Sequence, residues 1–177
     1  GRRVATLSRS GTVLDALRIG DPAAVLVAES RPGGEGVGVA ETLADDCEVT
    51  LTTDAGFGHA LSTWDADLLL VGADTVLGDG RVVNKVGTRA AAVSASLEGI
   101  EVVVAAAVDK VSRETNVDLE PRDPVDLYDG PADLSVLNRT FDVTPPECVD
   151  AIVTEWGVLD ATAVSEVIER HRERTDW

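Results

Sequence analysis

Lysine, methionine and aromatic rings are scarce in this chain, and each shortage removes a possibility. One Tyr, two Phe, three Trp and no Met leave a hydrophobic fraction of 44% made mostly of Ala, Val and Leu, which calls for an aliphatic, closely packed core. Two lysines stand beside thirteen arginines, and these 15 basic residues face 32 acidic ones, for a formal net charge of −17. No basic stripe is present to neutralise phosphates, which argues against direct nucleic-acid binding. The densest basic segment, Arg170-His171-Arg172-Glu173-Arg174, suits the C-terminal end of a helix, where cations meet the dipole. Cys47 and Cys148 lie in apolar surroundings without ligand spacing. They are expected to be reduced and structural, with no metal and no cofactor. No signal peptide and no bilayer-length apolar run is present, so no membrane partner and a cytoplasmic location are expected.

The acidic residues are scattered rather than gathered in a tail, and Asp outnumbers Glu nineteen to thirteen. Such a composition suits a salt-saturated cytoplasm, where the Debye length shrinks to about 3 Å at 1 M salt. The acidity therefore reports a halophilic habitat, not a function.

Short apolar runs at 4–7, 24–28, 49–51, 68–71, 102–106 and 151–153 have the pattern of strands buried on both faces. Helical periodicity fills 12–18, 37–43, 58–64, 88–97 and 161–172. This alternation predicts an α/β fold with a mostly parallel sheet and helices on both faces. Its length fits one domain spanning 1–177. The chain begins at Gly1 without an initiator Met, as a processed chain or a piece of a longer one would. Residues 111–139, with proline-flanked acids, are expected to form a long excursion ordered by its contacts.

In such a sheet, ligands bind at the C-terminal edge of the strands. The first loop there, Ser8-Arg9-Ser10-Gly11, offers hydroxyls, an Arg and a helix N-terminus to an anion, although Ser10 can equally serve as a plain N-cap. Arg31, in Glu29-Ser30-Arg31-Pro32, is placed either to take an anion or to pair with Glu29. Asp74 leaves the most apolar strand, so its carboxylate is expected in a partly desolvated place that raises its pKa. Gly78-Asp79-Gly80 signals a tight turn, making 76–77 and 82–83 a hairpin that folds Asn84-Lys85 back toward Asp74. Gly87-Thr88 then opens a helix with a second anion-friendly N-terminus.

The stretch GADTVLGDGRVVNKVGT, preceded by LVAESRP and followed by FDVTPPECVDAIVTEWGV, resembles one family in several ordered places. That family joins the alpha, beta and delta subunits of translation initiation factor 2B to methylthioribose-1-phosphate isomerase and ribose-1,5-bisphosphate isomerase. The resemblance runs from about Val4 to Trp156. It implies a three-layer Rossmann-like domain, normally preceded by a helical domain that this chain lacks. It also implies a sugar-phosphate or nucleotide pocket at the strand edge, and assembly as a homodimer or with related subunits. By the same resemblance Asp74 is the catalytic acid, Asn84 and Lys85 hold substrate, and Ser8 stands where the isomerases carry a cysteine.

A thiol exchanges protons near neutral pH, whereas a serine hydroxyl without a base does not. On that ground the sequence favours a regulatory, non-catalytic protein, related to initiation factor 2B, that binds a sugar phosphate or nucleoside monophosphate through Arg9, Ser10, Gly11, Arg31, Asn84 and Lys85. The alternative is a sugar-phosphate isomerase with Asp74 as acid and base. A third reading is a pure assembly module that self-associates through Val149, Ile152 and Trp156.

Overall fold

A computed structural model of the chain describes residues 1–159; the helix expected over 161–172 and its basic cluster lie outside the described residues. In chain order the elements are β1 (Arg3–Leu7), α1 (Gly11–Gly20), β2 (Ala24–Ala28), α2 (Glu35–Leu43), β3 (Glu48–Thr52) and α3 (Phe57–Thr63). Then follow β4 (Leu68–Gly72), β5 (Thr75–Val76), β6 (Val82–Lys85), α4 (Thr88–Glu98), β7 (Glu101–Ala105), β8 (Phe141–Thr144), β9 (Ala151–Thr154) and β10 (Gly157–Leu159). Seven strands form one sheet in the order β10-β9-β7-β4-β1-β2-β3, parallel except for the β9–β10 pair. The expected α/β architecture is present.

Side-chain alternation along the central strands divides the core in two. Val4, Val25, Val27, Leu70 and Ala105 point to the face covered by α1 and α2, through Val13, Leu14, Leu17, Val39 and Leu43. Ala5, Leu7, Leu26, Leu69, Val71, Val102 and Val104 point to the other face and pack with Phe57, Leu61, Ala91, Ala92 and Ala95 of α3 and α4. Aliphatic runs without polar interruption result because both faces are covered. The expectation fails at 49–51, since β3 is the sheet edge and Leu51 is 48% exposed.

Helix ends are fixed locally. Ser10 caps α1 by accepting from the Val13 N–H at 3.4 Å, and Gly99 ends α4 with φ +71. In α2, Gly36 lies so close to β2 that a Cβ there would stand 1.8 Å from the Ala28 carbonyl oxygen.

The expected hairpin forms, with Thr75 opposite Val83 and Val76 opposite Val82. No periodicity announced β8, which joins this hairpin from more than fifty residues away and places Asp142 beside Asn84 and Phe141 beside Lys85. Residues 111–139 are mainly irregular and hold themselves by contacts such as Arg122–Asp126 at 2.8 Å and the Pro121–Arg139 bridge. Of the apolar residues assigned to self-association, Trp156 is 42% exposed, but Ile152 is 6% exposed in the core and Val149 packs against it, so the three do not form one outward patch.

At the centre of the sheet, β1 pairs with β4 at Val4–Leu68 and Ala5–Leu69 only, while β1–β2 and β4–β7 each pair over five residues. The two halves of the sheet therefore diverge toward their C-terminal ends. A crevice opens between the loops after β1 and β4, where α/β sheets take their ligands.

Candidate functional site

A cavity of about 230 Å³ fills that crevice. The loop after β1 contributes Ser8, Arg9 and Ser10; the loop after β4 contributes Gly72 and Asp74; the hairpin contributes Asn84 and Lys85, above Phe141 of β8. Gly72 admits this closeness, since a Cβ on it would meet Ser10 Oγ at 2.8 Å. The Asp74 N–H donates to the Val83 carbonyl at 2.9 Å, which ties the hairpin to the acid. The convergence expected of Asp74, Asn84, Lys85 and Ser8 is observed.

Ser8 is 8% exposed and adopts φ +60, a left-handed conformation uncommon without glycine. Its N–H donates to Ser30 Oγ at 2.6 Å. Arg9 is exposed, and its guanidinium meets no ion-pair partner among the described residues. Ser10 both caps α1 and lines the cavity. Asn84 is 8% exposed and donates through Nδ2 to Thr88 Oγ1 at 3.0 Å; the Thr88 hydroxyl donates to the Lys85 carbonyl at 2.7 Å.

Four expectations need correction. Asp74 is not desolvated: its side chain is 46% exposed at the cavity mouth, 4.0 Å from Lys110. Arg31 does not line the cavity and pairs with Glu29 at 3.0 Å, and Gly11, the first residue of α1, does not line the space either. Lys85, on which no partner was forecast, pairs with Glu35 of α2 at 2.7 Å. The α4 N-terminus is not open to a ligand, because the Asp142 carboxylate already accepts the Gly87 N–H at 2.8 Å and the Arg89 N–H at 3.1 Å.

Burial pushes Glu35 up, but the hydrogen bond and charge of Lys85, together with its own backbone and Arg122, outweigh burial and hold it below the usual carboxylate range. Burial also pushes Asp142 up, and there it prevails over the Gly87 and Arg89 N–H groups. The Cys47 thiol is pushed up by burial and by Asp46 and Asp21, as suits an inert structural cysteine.

Two contributors escaped the sequence, and a third, Lys110, belongs to a loop expected along the strand edge but was given no role. Lys110, after β7, stands with Asp74, Thr75, Asp109 and Ser112 around an adjoining cleft of about 460 Å³. Its signal was available, as one of two lysines at the end of a central strand. Glu35 and Asp142 act through contacts 50 and 53 to 55 residues away, which leave no local signal.

These features define a Rossmann-like α/β domain whose crevice, at the switch point of its sheet, is lined by Arg9, Lys85 and the acid Asp74. The sequence profile of the Initiation factor 2 subunit family, IF-2B, matches residues 1–161. The chain belongs to that family. It is 43% identical over 142 residues to the ribose 1,5-bisphosphate isomerase of Haloferax volcanii, covering 75% of this chain and 43% of that protein. It is 35% identical over 165 residues to the methylthioribose-1-phosphate isomerase of Stenotrophomonas maltophilia, covering 84% of this chain and 47% of that one. Among solved structures, the Pyrococcus horikoshii translation initiation factor eIF-2B superimposes with a TM-score of 0.79 at 34% identity, covering 90% of this chain and 58% of that chain. The chain thus spans under half the length of both isomerases.

The expectation of a non-catalytic regulator is overturned by these relatives, whose names are those of sugar-phosphate isomerases at 35% and 43% identity. That expectation rested chiefly on Ser8, and also on the helical domain that the family normally carries before this one. It gave one missing thiol more weight than the acid, amide and ammonium that the same cavity assembles.

Proposed function

We propose that this domain carries the catalytic half of a sugar-phosphate isomerase acting on a pentose phosphorylated at C1, with ribose 1,5-bisphosphate the better fit. The observation that carries this reading is the one acid among the described residues that lines both spaces, Asp74, between Arg9 and Lys85 in one cavity and Lys110 in the adjoining cleft. A substrate with a phosphate at each end and its reacting carbons between them matches that spacing of charge. A monophosphate would engage only one of the two ends.

Opening a furanose 1-phosphate breaks the bond from C1 to the ring oxygen as that oxygen takes a proton. C2 then loses its proton to give an enol, and a proton added at C1, with loss of the 2-hydroxyl proton, leaves the 2-ketone. The proton leaving C2 and the proton arriving at C1 can use one base on one face of the enol. Among the described residues Asp74 is the only carboxylate lining the cavity, so this shuttle is assigned to it. On this account Ser8 needs no thiol chemistry: its hydroxyl holds a substrate oxygen, and Asn84 and Lys85 hold the phosphate. The open mouth admits water, so exclusion of solvent is assigned to a further part of the protein or to a partner subunit.

The test is turnover of ribose 1,5-bisphosphate by purified protein and by Asp74→Asn, in molar potassium chloride. Turnover should fall by about 10²- to 10⁴-fold with the dissociation constant retained. An Asp74→Asn protein that turns over normally would sink the assignment.

A further inference from the structure

Ser8 occupies a conformation that a serine does not hold unaided, and the structure shows what holds it. Its φ of +60 is matched one strand away by Ser30, at +63. Ser30 is 2% exposed; its Oγ accepts the Ser8 N–H at 2.6 Å and donates to the Ala28 carbonyl at 3.2 Å, which fixes the direction of its lone pair. Ser30 is held in turn, because Asp54 takes the Ser30 N–H on Oδ1 at 2.8 Å and the Arg31 N–H on Oδ2 at 2.6 Å.

The three loops leave the sheet at one level. Leu7, Ala28 and Thr52 are register partners across β1, β2 and β3, so Ser8, Ser30 and Asp54 follow in adjacent strands. A carboxylate at the sheet edge therefore fixes the turn after β2, and that turn fixes the one entering the cavity. With Ser8 and Ser30 both buried, water does not compete for the bond between them, whereas Asp54 is exposed and holds its end of the relay by two backbone N–H groups.

Resting on the isomerase reading, we propose that Ser30 and Asp54 are positioning residues that hold Ser8 in its left-handed conformation and so aim its hydroxyl at the substrate beside Asp74. Neither lines the cavity, so they act through Ser8 alone. Without the Ser30 acceptor, Ser8 relaxes toward the ordinary regions of backbone space and its hydroxyl leaves the cavity.

Ser30→Ala and Asp54→Ala in the full chain test this through residue-resolved amide hydrogen exchange and steady-state kinetics with ribose 1,5-bisphosphate. Ser30→Ala should speed exchange at the Ser8 amide by about tenfold or more, leaving Leu26 and Leu69 amides unchanged, as a local opening does. It should lower kcat by about ten- to hundredfold with KM within about twofold, the pattern of misplacement rather than lost binding. Asp54→Ala should give the same pattern in smaller degree. Unchanged Ser8 exchange, unchanged kcat, or exchange rising uniformly across the sheet would each overturn the proposal. The exchange measurement needs no substrate, so a wild type without turnover counts against the isomerase reading, and unchanged Ser8 exchange counts against the relay.

Discussion

Replacing Lys85 by Met tests stability and ligand binding together. The ammonium lies 2.7 Å from Glu35, with the two side chains 17% and 30% exposed. At an effective dielectric constant of about 20 their gross attraction is about 6 kcal/mol, most of it offset by desolvation. Exposure between the surface and buried limits puts the net cost of losing the ammonium at about 1–2 kcal/mol. Glu35 would then keep only its own backbone N–H as a donor, since its Oε2 is already buried without a hydrogen-bond partner among the described residues. The expected fall in Tm is about 3–8 °C for a chain of this size. A phosphate that loses a charge-assisted bond should bind about 10- to 100-fold more weakly in calorimetry with ribose 1,5-bisphosphate. Glu35→Gln is the control, because it keeps an acceptor and frees the ammonium, so binding should hold or tighten. The acid limb gives a second readout. Glu35 is held below the usual carboxylate range, so its contribution is present above the unfolded-state pKa and is lost as pH falls through the depressed one. Lys85→Met should flatten that loss. Affinity within about twofold of wild type for Lys85→Met, or equal weakening by Glu35→Gln, would refute the reasoning.

Asp142→Ala should cost about 1–2 kcal/mol by urea unfolding, because the Gly87 and Arg89 N–H groups at the start of α4 lose their cap. Asp142 has a raised pKa, so its contribution is fullest below the unfolded value and is lost as pH rises through the folded one. The stability gap between wild type and Asp142→Asn should accordingly narrow from acid to neutral pH; a widening gap contradicts the assignment. Lys110→Ala should raise KM for a pentose bisphosphate by about 10- to 100-fold and leave that for a monophosphate nearly unchanged in steady-state assays, and equal effects on both would remove Lys110 from phosphate recognition. Gly36→Ala should cost about 3 kcal/mol or more in urea unfolding, because the Ala28 carbonyl oxygen 1.8 Å from the new Cβ is backbone and α2 must lift away. A variant as stable as wild type would show that α2 docks less closely than described.

The central strands were legible because burial on both faces writes an uninterrupted aliphatic run into the sequence. Edge position has no such mark, which is why the 49–51 run was given two buried faces although β3 has a bare side. Short antiparallel strands escaped for a related reason. β8 is four residues long, and its identity depends on pairing with β6 rather than on its own periodicity. Within the site, loop chemistry identified Ser8, Asp74, Asn84 and Lys85, but partner choice did not follow. Lys85 was free in sequence to pair with any nearby acid, and its choice of Glu35 depends on how α2 packs. The weight placed on Ser8 shows the limit of reasoning from one side chain, since chemistry assigned to a missing thiol can be redistributed among the groups around it.

The brief β1–β4 pairing also bears on how the domain assembles. Ser8 belongs to one half of the sheet and Asp74 to the other, and only two register pairs join the strands that deliver them. No single βα unit owns the pocket. A ligand gripping both lips of the crevice would act as a clasp on the weakest join in the sheet, stabilising the docked halves in proportion to the logarithm of its concentration above its dissociation constant. Protection of the β1 and β4 amides, compared with those of β2 and β7, would then register substrate before any chemistry is measured.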